Sequence, residues 1–189
     1  MTHRLSHFYF EIEGWFHFPH IYREAVERLD GTFVEVGAWK GCSTAFLAVE
    51  AIRSGKSIDI HVVDTFEGSD EDEHRKDPEL KDLRAVFDRN MAPVADRLTV
   101  HQMPSVEAAK LFEDGSVSLC MIDGAHDYAS VKADIAAWLP KIKPGGWLCG
   151  DDIAWGDDMP VFRAVDEMLP GWVRRGCAWT YQNLNERDR

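Results

Sequence analysis

Cysteine is scarce in this chain: Cys42, Cys120, Cys149 and Cys177 are the full set. No pair has the C-x-x-C spacing of a zinc ribbon or a redox dithiol, and no even, closely spaced framework points to a disulfide-stapled fold. Cys120 and Cys149 sit inside the apolar runs 118–122 and 147–150, where a thiol behaves as a small hydrophobe. Long apolar runs are missing too, since none approaches the ~20 residues that span a bilayer. The opening stretch 1–10 mixes His, Arg and aromatics without the apolar centre of a secretory leader. These absences lead to the expectation of a cytoplasmic protein in a reducing compartment, with no membrane partner. Positive charge is in the minority, with 21 Lys and Arg against 33 Asp and Glu, a net charge of -12. A field of that sign repels nucleic acid, so none is expected as a partner. Part of the excess lies in the run 67–73, which reads as a solvated loop. Internal repeats and low-complexity linkers are absent, which excludes solenoids and disordered tethers.

What is present is enough for one core. A chain of 189 residues with 45% hydrophobic side chains fits a single domain. Short apolar runs alternate with longer stretches of helical periodicity, the pattern of βαβ units and a parallel sheet. Strands are predicted at 32–37, 57–63 (ending at Asp64), 98–101, 117–122 and 147–149, the last fed by a Pro144-Gly145-Gly146 turn. Helices are predicted at 19–29, 42–54, 79–91, 105–112, 128–139 and 161–169, and 172–175 with 179–183 reads as a terminal antiparallel ribbon. The fold class is therefore α/β: a doubly wound, mostly parallel sheet of seven strands with a C-terminal antiparallel hairpin. Residues 1–30 read as a helical, aromatic cap and 31–189 as a nucleoside-binding domain. Ligands of such sheets sit at the carboxyl ends of the strands, where strand order switches.

Two strand ends carry the cofactor signal. Glu35-Val36-Gly37-Ala38-Trp39-Lys40-Gly41 joins the first strand to its helix, with glycines where backbone must turn and approach a ligand. The spacing is G-x-x-x-G, not the G-x-G-x-x-G of dinucleotide sites, so a nicotinamide oxidoreductase is disfavoured. Ser43 and Thr44 open the following helix. Asp64 closes the second strand, where a carboxylate can accept hydrogen bonds from both ribose hydroxyls.

Val34-Glu35-Val36-Gly37 with Gly41, then Val63-Asp64, then Lys143-Pro144-Gly145-Gly146 before a strand, resemble the class I S-adenosylmethionine-dependent methyltransferases. That resemblance spans roughly residues 32–152 and implies a Rossmann-like methyltransferase sheet. It implies cofactor contacts at Glu35, Gly37, Gly41, Ser43, Asp64, Ser105 and Asp123. Many relatives place an acid near the end of the third strand for the adenine amine; here Gln102-Met103-Pro104-Ser105 has none, leaving Ser105 as the candidate. Trp39 and Phe66 flank the cofactor loops and are candidates to stack on adenine.

The second cluster is acidic. Asp123-Gly124-Ala125-His126 follows the fourth strand and Asp151-Asp152 follows the fifth. Three carboxylates at neighbouring strand ends repel one another unless protons or a cation neutralise them. Hard oxygen donors without cysteine favour Mg²⁺, with Ca²⁺ or Mn²⁺ as alternatives. The expected ligands are Asp123, Asp151 and Asp152. His126 or Asp123 is the expected proton acceptor. This arrangement resembles metal-dependent O-methyltransferases of the catechol type, although His126 stands where those have lysine. The stretch Ile122 to Tyr128 is more specifically similar to macrocin-type sugar O-methyltransferases, whose N-terminal part is much longer. The resemblance implies a small-molecule hydroxyl, a sugar or diol, as acceptor. Transfer to nitrogen or carbon without metal, and a non-catalytic nucleoside-binding scaffold, remain the alternatives. The stretch Glu13 to His20, dense in aromatics and histidines, is a candidate lid or a dock for a second subunit in a homo-oligomer. Trp155 is a candidate for the acceptor pocket.

Overall fold

The computed structural model describes residues 5–69 and 72–184. Its strands are β1 (Gly31–Val36), β2 (Ile58–Asp64), β3 (Leu98–Gln102), β4 (Val117–Ile122), β5 (Ile142–Gly150), β6 (Val173–Arg175) and β7 (Ala178–Gln182). They form one sheet in the order β3-β2-β1-β4-β5-β7-β6. Pairing is parallel from β3 through to β5, and β7 runs antiparallel to both β5 and β6. The helices are α1 (Pro19–Arg28), α2 (Cys42–Ser54), α3 (Asp72–Lys76), α4 (Leu83–Met91), α5 (Ser105–Ala109), α6 (Tyr128–Trp138) and α7 (Pro160–Met168).

The inner strands are apolar on both sides because helices cover both faces. Phe33, Val62, Leu119 and Met121 share one buried cluster with side chains of α1, α2 and α4. Val34, Val36, Cys120, Ile122 and Leu148 share the other with α5, α6 and α7. Ile21, Tyr22, Ala25 and Val26 of α1 belong to the same cluster as β1, so the segment before Gly31 packs directly on the sheet. β1 lies between β2 and β4. The winding therefore reverses at β1 and β4, and their carboxyl ends frame the cleft.

Beyond shifts of a residue at element ends, four features differ from the sequence reading. Pro144, Gly145 and Gly146 lie within β5 rather than before it. Between the pairs Val117↔Ile142 and Leu119↔Trp147, β4 advances two residues while β5 advances five, so the turn signal is a bulge. Gly146 is needed there, since a Cβ would meet the Ser118 carbonyl oxygen at 2.9 Å. The polar stretch after β2 contains α3, and a 3-10 turn at Leu80–Asp82 delays α4 to Leu83. Asp72 opens α3, while Asp70 and Glu71 of the acidic run lie outside the described residues. α5 ends at Ala109, three residues early. Among the described residues no helix is long and apolar enough to cross a membrane.

Candidate active site

Backbone hydrogen bonds hold three strand ends in step. Gly37 N–H donates to Val63 O at 2.9 Å, Asp123 N–H to Val36 O at 2.7 Å, and Asp151 N–H to Ile122 O at 3.3 Å. The segments leaving β1, β4 and β5 therefore emerge side by side, about 4.8 Å apart. Gly37 has φ +85°, and a Cβ there would meet the Asp123 carbonyl oxygen at 2.0 Å. Only glycine lets the β1 loop lie against the β4 loop.

Asp64 secures the turns around it. Its Oδ2 accepts the amides of Ala38 (2.7 Å) and Trp39 (3.0 Å), and its Oδ1 accepts that of Phe66 (2.7 Å). Trp39 (φ 50°), Phe66 (φ 57°) and Asp152 (φ 55°) are all left-handed without being glycine. Such conformations cost about 1–2 kcal/mol each, and clustering at one edge of the sheet is the usual mark of a functional site.

A cavity of about 810 Å³ opens above these strand ends. Gly37, Ser43, Asp64, Ser105 and Asp123 are on its wall, as are Asp151, Asp152, His126 and Trp155. Glu35 and Gly41 are not. Glu35 is fully buried beneath the loop, where it accepts hydrogen bonds from the hydroxyls of Tyr22 (2.6 Å) and Thr44. Burial pushes its carboxyl up to about 7. At Gly41 the close approach is to Met91 and Phe87 of α4, with a would-be Cβ 2.7 Å from Met91 Cε. Trp39 stacks on His74 (centroids 3.9 Å, 15°), whereas Phe66 packs against Phe87 in the core.

The acids after β4 and β5 converge as a donor group. One donor atom each from Asp123, His126 and Asp152 lies within 4.8 Å of the others. His126 Nε2 stands 3.1 Å from Asp152 Oδ2 and 3.8 Å from Asp123 Oδ1. Burial raises the Asp123 carboxyl above its ordinary range despite the neighbouring His126. Asp151 points elsewhere on the same wall: its Oδ2 meets His17 Nδ1 at 3.3 Å, and its Oδ1 is buried without a hydrogen-bond partner. Burial, reinforced by Asp123, lifts its carboxyl to about 6. Two carboxylates at this spacing, with a third, partly unsatisfied carboxylate alongside, offer hard oxygen donors that fit a divalent cation, and the His126 imidazole stands beside them. Asp127, next in line, caps α6 by accepting the amides of Ala129 and Ser130. Trp155 lies 5.5 Å from His126, ring to ring.

Sequence reasoning named His17 only within the candidate lid, without its contact to Asp151, and did not single out Asp134. His17 is 134 positions from Asp151, and no local pattern links them. Asp134 is buried on α6 beside Val131, Ile135 and Trp138; an acid on an apolar helical stripe was the available signal.

The Methyltransferase domain family matches residues 34–153, the stretch that holds the glycine loop, Asp64, Asp123, Asp151 and Asp152. A curated protein of Sinorhizobium fredii, the uncharacterised y4gI, is 33% identical over 112 residues; these are 59% of this chain and 12% of that much longer protein. Among solved structures, the O-methyltransferase NovP superimposes with a TM-score of 0.67 at 17% identity, covering 88% of this chain and 79% of that one. CalS11, a TDP-rhamnose 3'-O-methyltransferase of calicheamicin biosynthesis, gives 0.59 at 17% identity, over 87% and 77%. At such identities the structural likeness speaks for the fold, and the family match covers most of the chain. The chain thus belongs to the methyltransferase-domain family.

Proposed function

We propose that this methyltransferase acts on a hydroxyl of a small molecule, a sugar or other diol, with a divalent cation, Mg²⁺ or Mn²⁺, held at Asp123 and Asp152 with Asp151 alongside. The observation that carries this reading is the Asp123–His126–Asp152 group on the wall of the cofactor cavity. A cation held there would lower the pKa of an acceptor hydroxyl. His126 Nε2 takes the hydroxyl proton, with Asp152 at 3.1 Å to stabilise the imidazolium that results. Gly37 and Asp64 fix the nucleoside, so that much of the rate gain comes from orientation. Trp155 offers an apolar face to the acceptor beside that base. Residues 13–20, which place Trp15 and His17 on the same wall, act as the cap. The sugar and O-methyl assignments draw support from NovP and CalS11, which carry those names.

The test is methyl transfer from labelled S-adenosylmethionine to a panel of sugars, catechols and amines, with and without EDTA. Hydroxyl methylation abolished by EDTA and restored by Mn²⁺ or Mg²⁺ is the expected result. Full turnover in chelator removes the cation, and selective transfer to amines replaces this reading with metal-independent N-methylation.

A further inference from the structure

Six carboxylates line the cavity, those of Asp64, Asp123, Asp127, Asp134, Asp151 and Asp152. Among the described residues on its wall there is no lysine and no arginine. Lys40, on the loop after β1, is not on the wall, and its ammonium sits between Asp77, Glu13 and Glu79. S-adenosylmethionine brings one net positive charge and a divalent cation two, so the loaded cavity still holds more negative charge than positive. Cavity walls of low dielectric focus such a field on whatever enters. The part of the acceptor beyond its reacting hydroxyl has to meet that field.

Five of the six acids are engaged. Asp64 accepts three backbone amides, Asp127 caps α6, Asp134 hydrogen-bonds with Ser105, and Asp123 and Asp152 flank His126. Asp151 differs. Its side chain is 3% exposed, its Oδ2 meets His17, and its Oδ1 has no hydrogen-bond partner. A cation held between Asp123 and Asp152 leaves Asp151, which is outside that donor group, to a second positive charge. A buried carboxylate with an unsatisfied oxygen on a ligand wall is costly until a ligand supplies that charge. Trp15 and Trp155, 54% and 42% exposed, stand on the same wall, and indole faces attract ammonium groups. A phosphate here would meet like charge with no guanidinium or ammonium to bind it. A protonated amine would meet carboxylate and indole.

We propose that the acceptor is an amine-bearing hydroxyl compound, an amino sugar or amino alcohol, whose protonated amine is received by the Asp151 carboxylate, and that phosphorylated acceptors, nucleoside-diphosphate sugars included, are rejected. The inference rests on the hydroxyl-methylation reading above and narrows its substrate class. The methyl group leaves sulfur for the hydroxyl oxygen, the hydroxyl proton passes to His126, and the amine stays protonated and unmethylated. The experiment is methyl transfer from labelled S-adenosylmethionine to matched methyl glycosides: 2-, 3- and 4-amino-deoxyhexoses, their N-acetyl forms, and the corresponding hexose 6-phosphates. At least one free amine is expected to exceed its N-acetyl form at least tenfold in kcat/KM, the size of one charge-assisted hydrogen bond, with the label on oxygen by mass spectrometry and no transfer to the phosphates. In Asp151→Asn that ratio is expected to fall to about threefold or less. Because both members of a pair are measured on the same protein, a general loss of activity in the variant leaves the ratio readable. Phosphates turned over as well as amines, or N-acetyl forms equal to free amines, overturn the proposal on the wild type alone. A folded Asp151→Asn protein that keeps the full ratio overturns the role of Asp151. Label on nitrogen overturns the hydroxyl reading and this inference together, whereas label on the oxygen of neutral sugars without any amine advantage overturns the inference alone.

Discussion

Glu35 precedes the glycine loop, where its resemblance to methyltransferases implied a cofactor contact, yet the fold turns it away from the cavity. Alternation along β1 decides this: Val34 and Val36 face α5, α6 and α7, so Glu35 faces α1 and α2. Its carboxyl moves from 4.5 to about 7 on folding because burial disfavours the charged form, against hydrogen bonds from Thr44, Tyr22 and Ser43. A carboxyl raised in the folded state contributes stability that is fully present below the unfolded pKa. That contribution is lost as pH rises through the folded one. The window is pH 4.5 to 7, and the loss is on the order of 3 kcal/mol at 1.36 kcal/mol per unit. Glu35→Gln is expected to flatten urea-unfolding stability over this window, while the wild type declines; parallel curves would show that Glu35 does not titrate there. Gly37 makes the opposite case, a cavity-wall residue whose tight backbone approach was legible in the sequence. Gly37→Ala places a methyl 2.0 Å from the Asp123 carbonyl oxygen at φ +85°. It is expected to cost about 1–3 kcal/mol in strain and at least tenfold in S-adenosylhomocysteine affinity, read by denaturation and calorimetry. Glycines and strand-end acids were readable because short-range backbone geometry demands them. The His17–Asp151 contact was not, because it joins chain segments through the tertiary fold alone.

At the scale of elements, Lys40 ties three pieces of chain together. Its ammonium, 2% exposed, meets Asp77 at 2.7 Å, Glu13 at 2.8 Å and Glu79 at 2.9 Å. Desolvation works against the charge, but the hydrogen bonds to these acids outweigh it and hold the lysine above its ordinary pKa. The loop after β1 is thereby fastened to the N-terminal segment, which borders the cavity at Gly14 and Trp15, and to the chain following α3. Glu13 is 78% exposed and Glu79 42%, so their pairs contribute little. Asp77, at 11%, dominates. Lys40→Met is expected to destabilise the protein by about 3 kcal/mol, the cost of leaving a largely buried carboxylate without its partner. It is also expected to speed amide exchange in residues 13–18, 65–69 and 72–82. Unchanged exchange there would show that aromatic packing such as Trp39 on His74 holds the cap without the lysine. The helices and strands of the sheet were legible because their apolar periodicity is local. The bulge in β5 and the short α3 were not, since the first answers to the register of β4 and the second is a polar helix with no apolar stripe to announce it.

Across the whole molecule, the sheet order converts sequence-distant acids into one site. The resemblance covered strands β1 to β5, and their parallel order follows from βαβ winding, which is why the neighbourhood of Asp123 and Asp151-Asp152 was legible before any coordinates. Which of these acids meet was not legible, because side-chain direction depends on φ. Asp152, left-handed at +55°, turns towards His126, while Asp151 turns towards His17. In a chain of net charge -12 this cluster is held at a cost. Raised carboxyls at Asp123 and, to about 6, Asp151 contribute stability below pH 3.8 that is lost as pH rises through 6. A divalent cation reverses the sign, since it binds only the deprotonated acids and so stabilises the folded state more as pH rises. At a cation concentration a hundredfold above Kd the gain is about 2.7 kcal/mol, which for a chain of this size raises Tm by about 5–10 °C. Thermal unfolding with Mn²⁺ or Mg²⁺ is therefore expected to show a large shift at pH 8 and a small one at pH 5. Asp152→Asn is expected to abolish both shifts, because it removes the carboxylate shared by the donor group and His126. Equal shifts at the two pH values, or a shift that survives Asp152→Asn, would place the cation elsewhere on this acidic surface and leave the cluster to its protons.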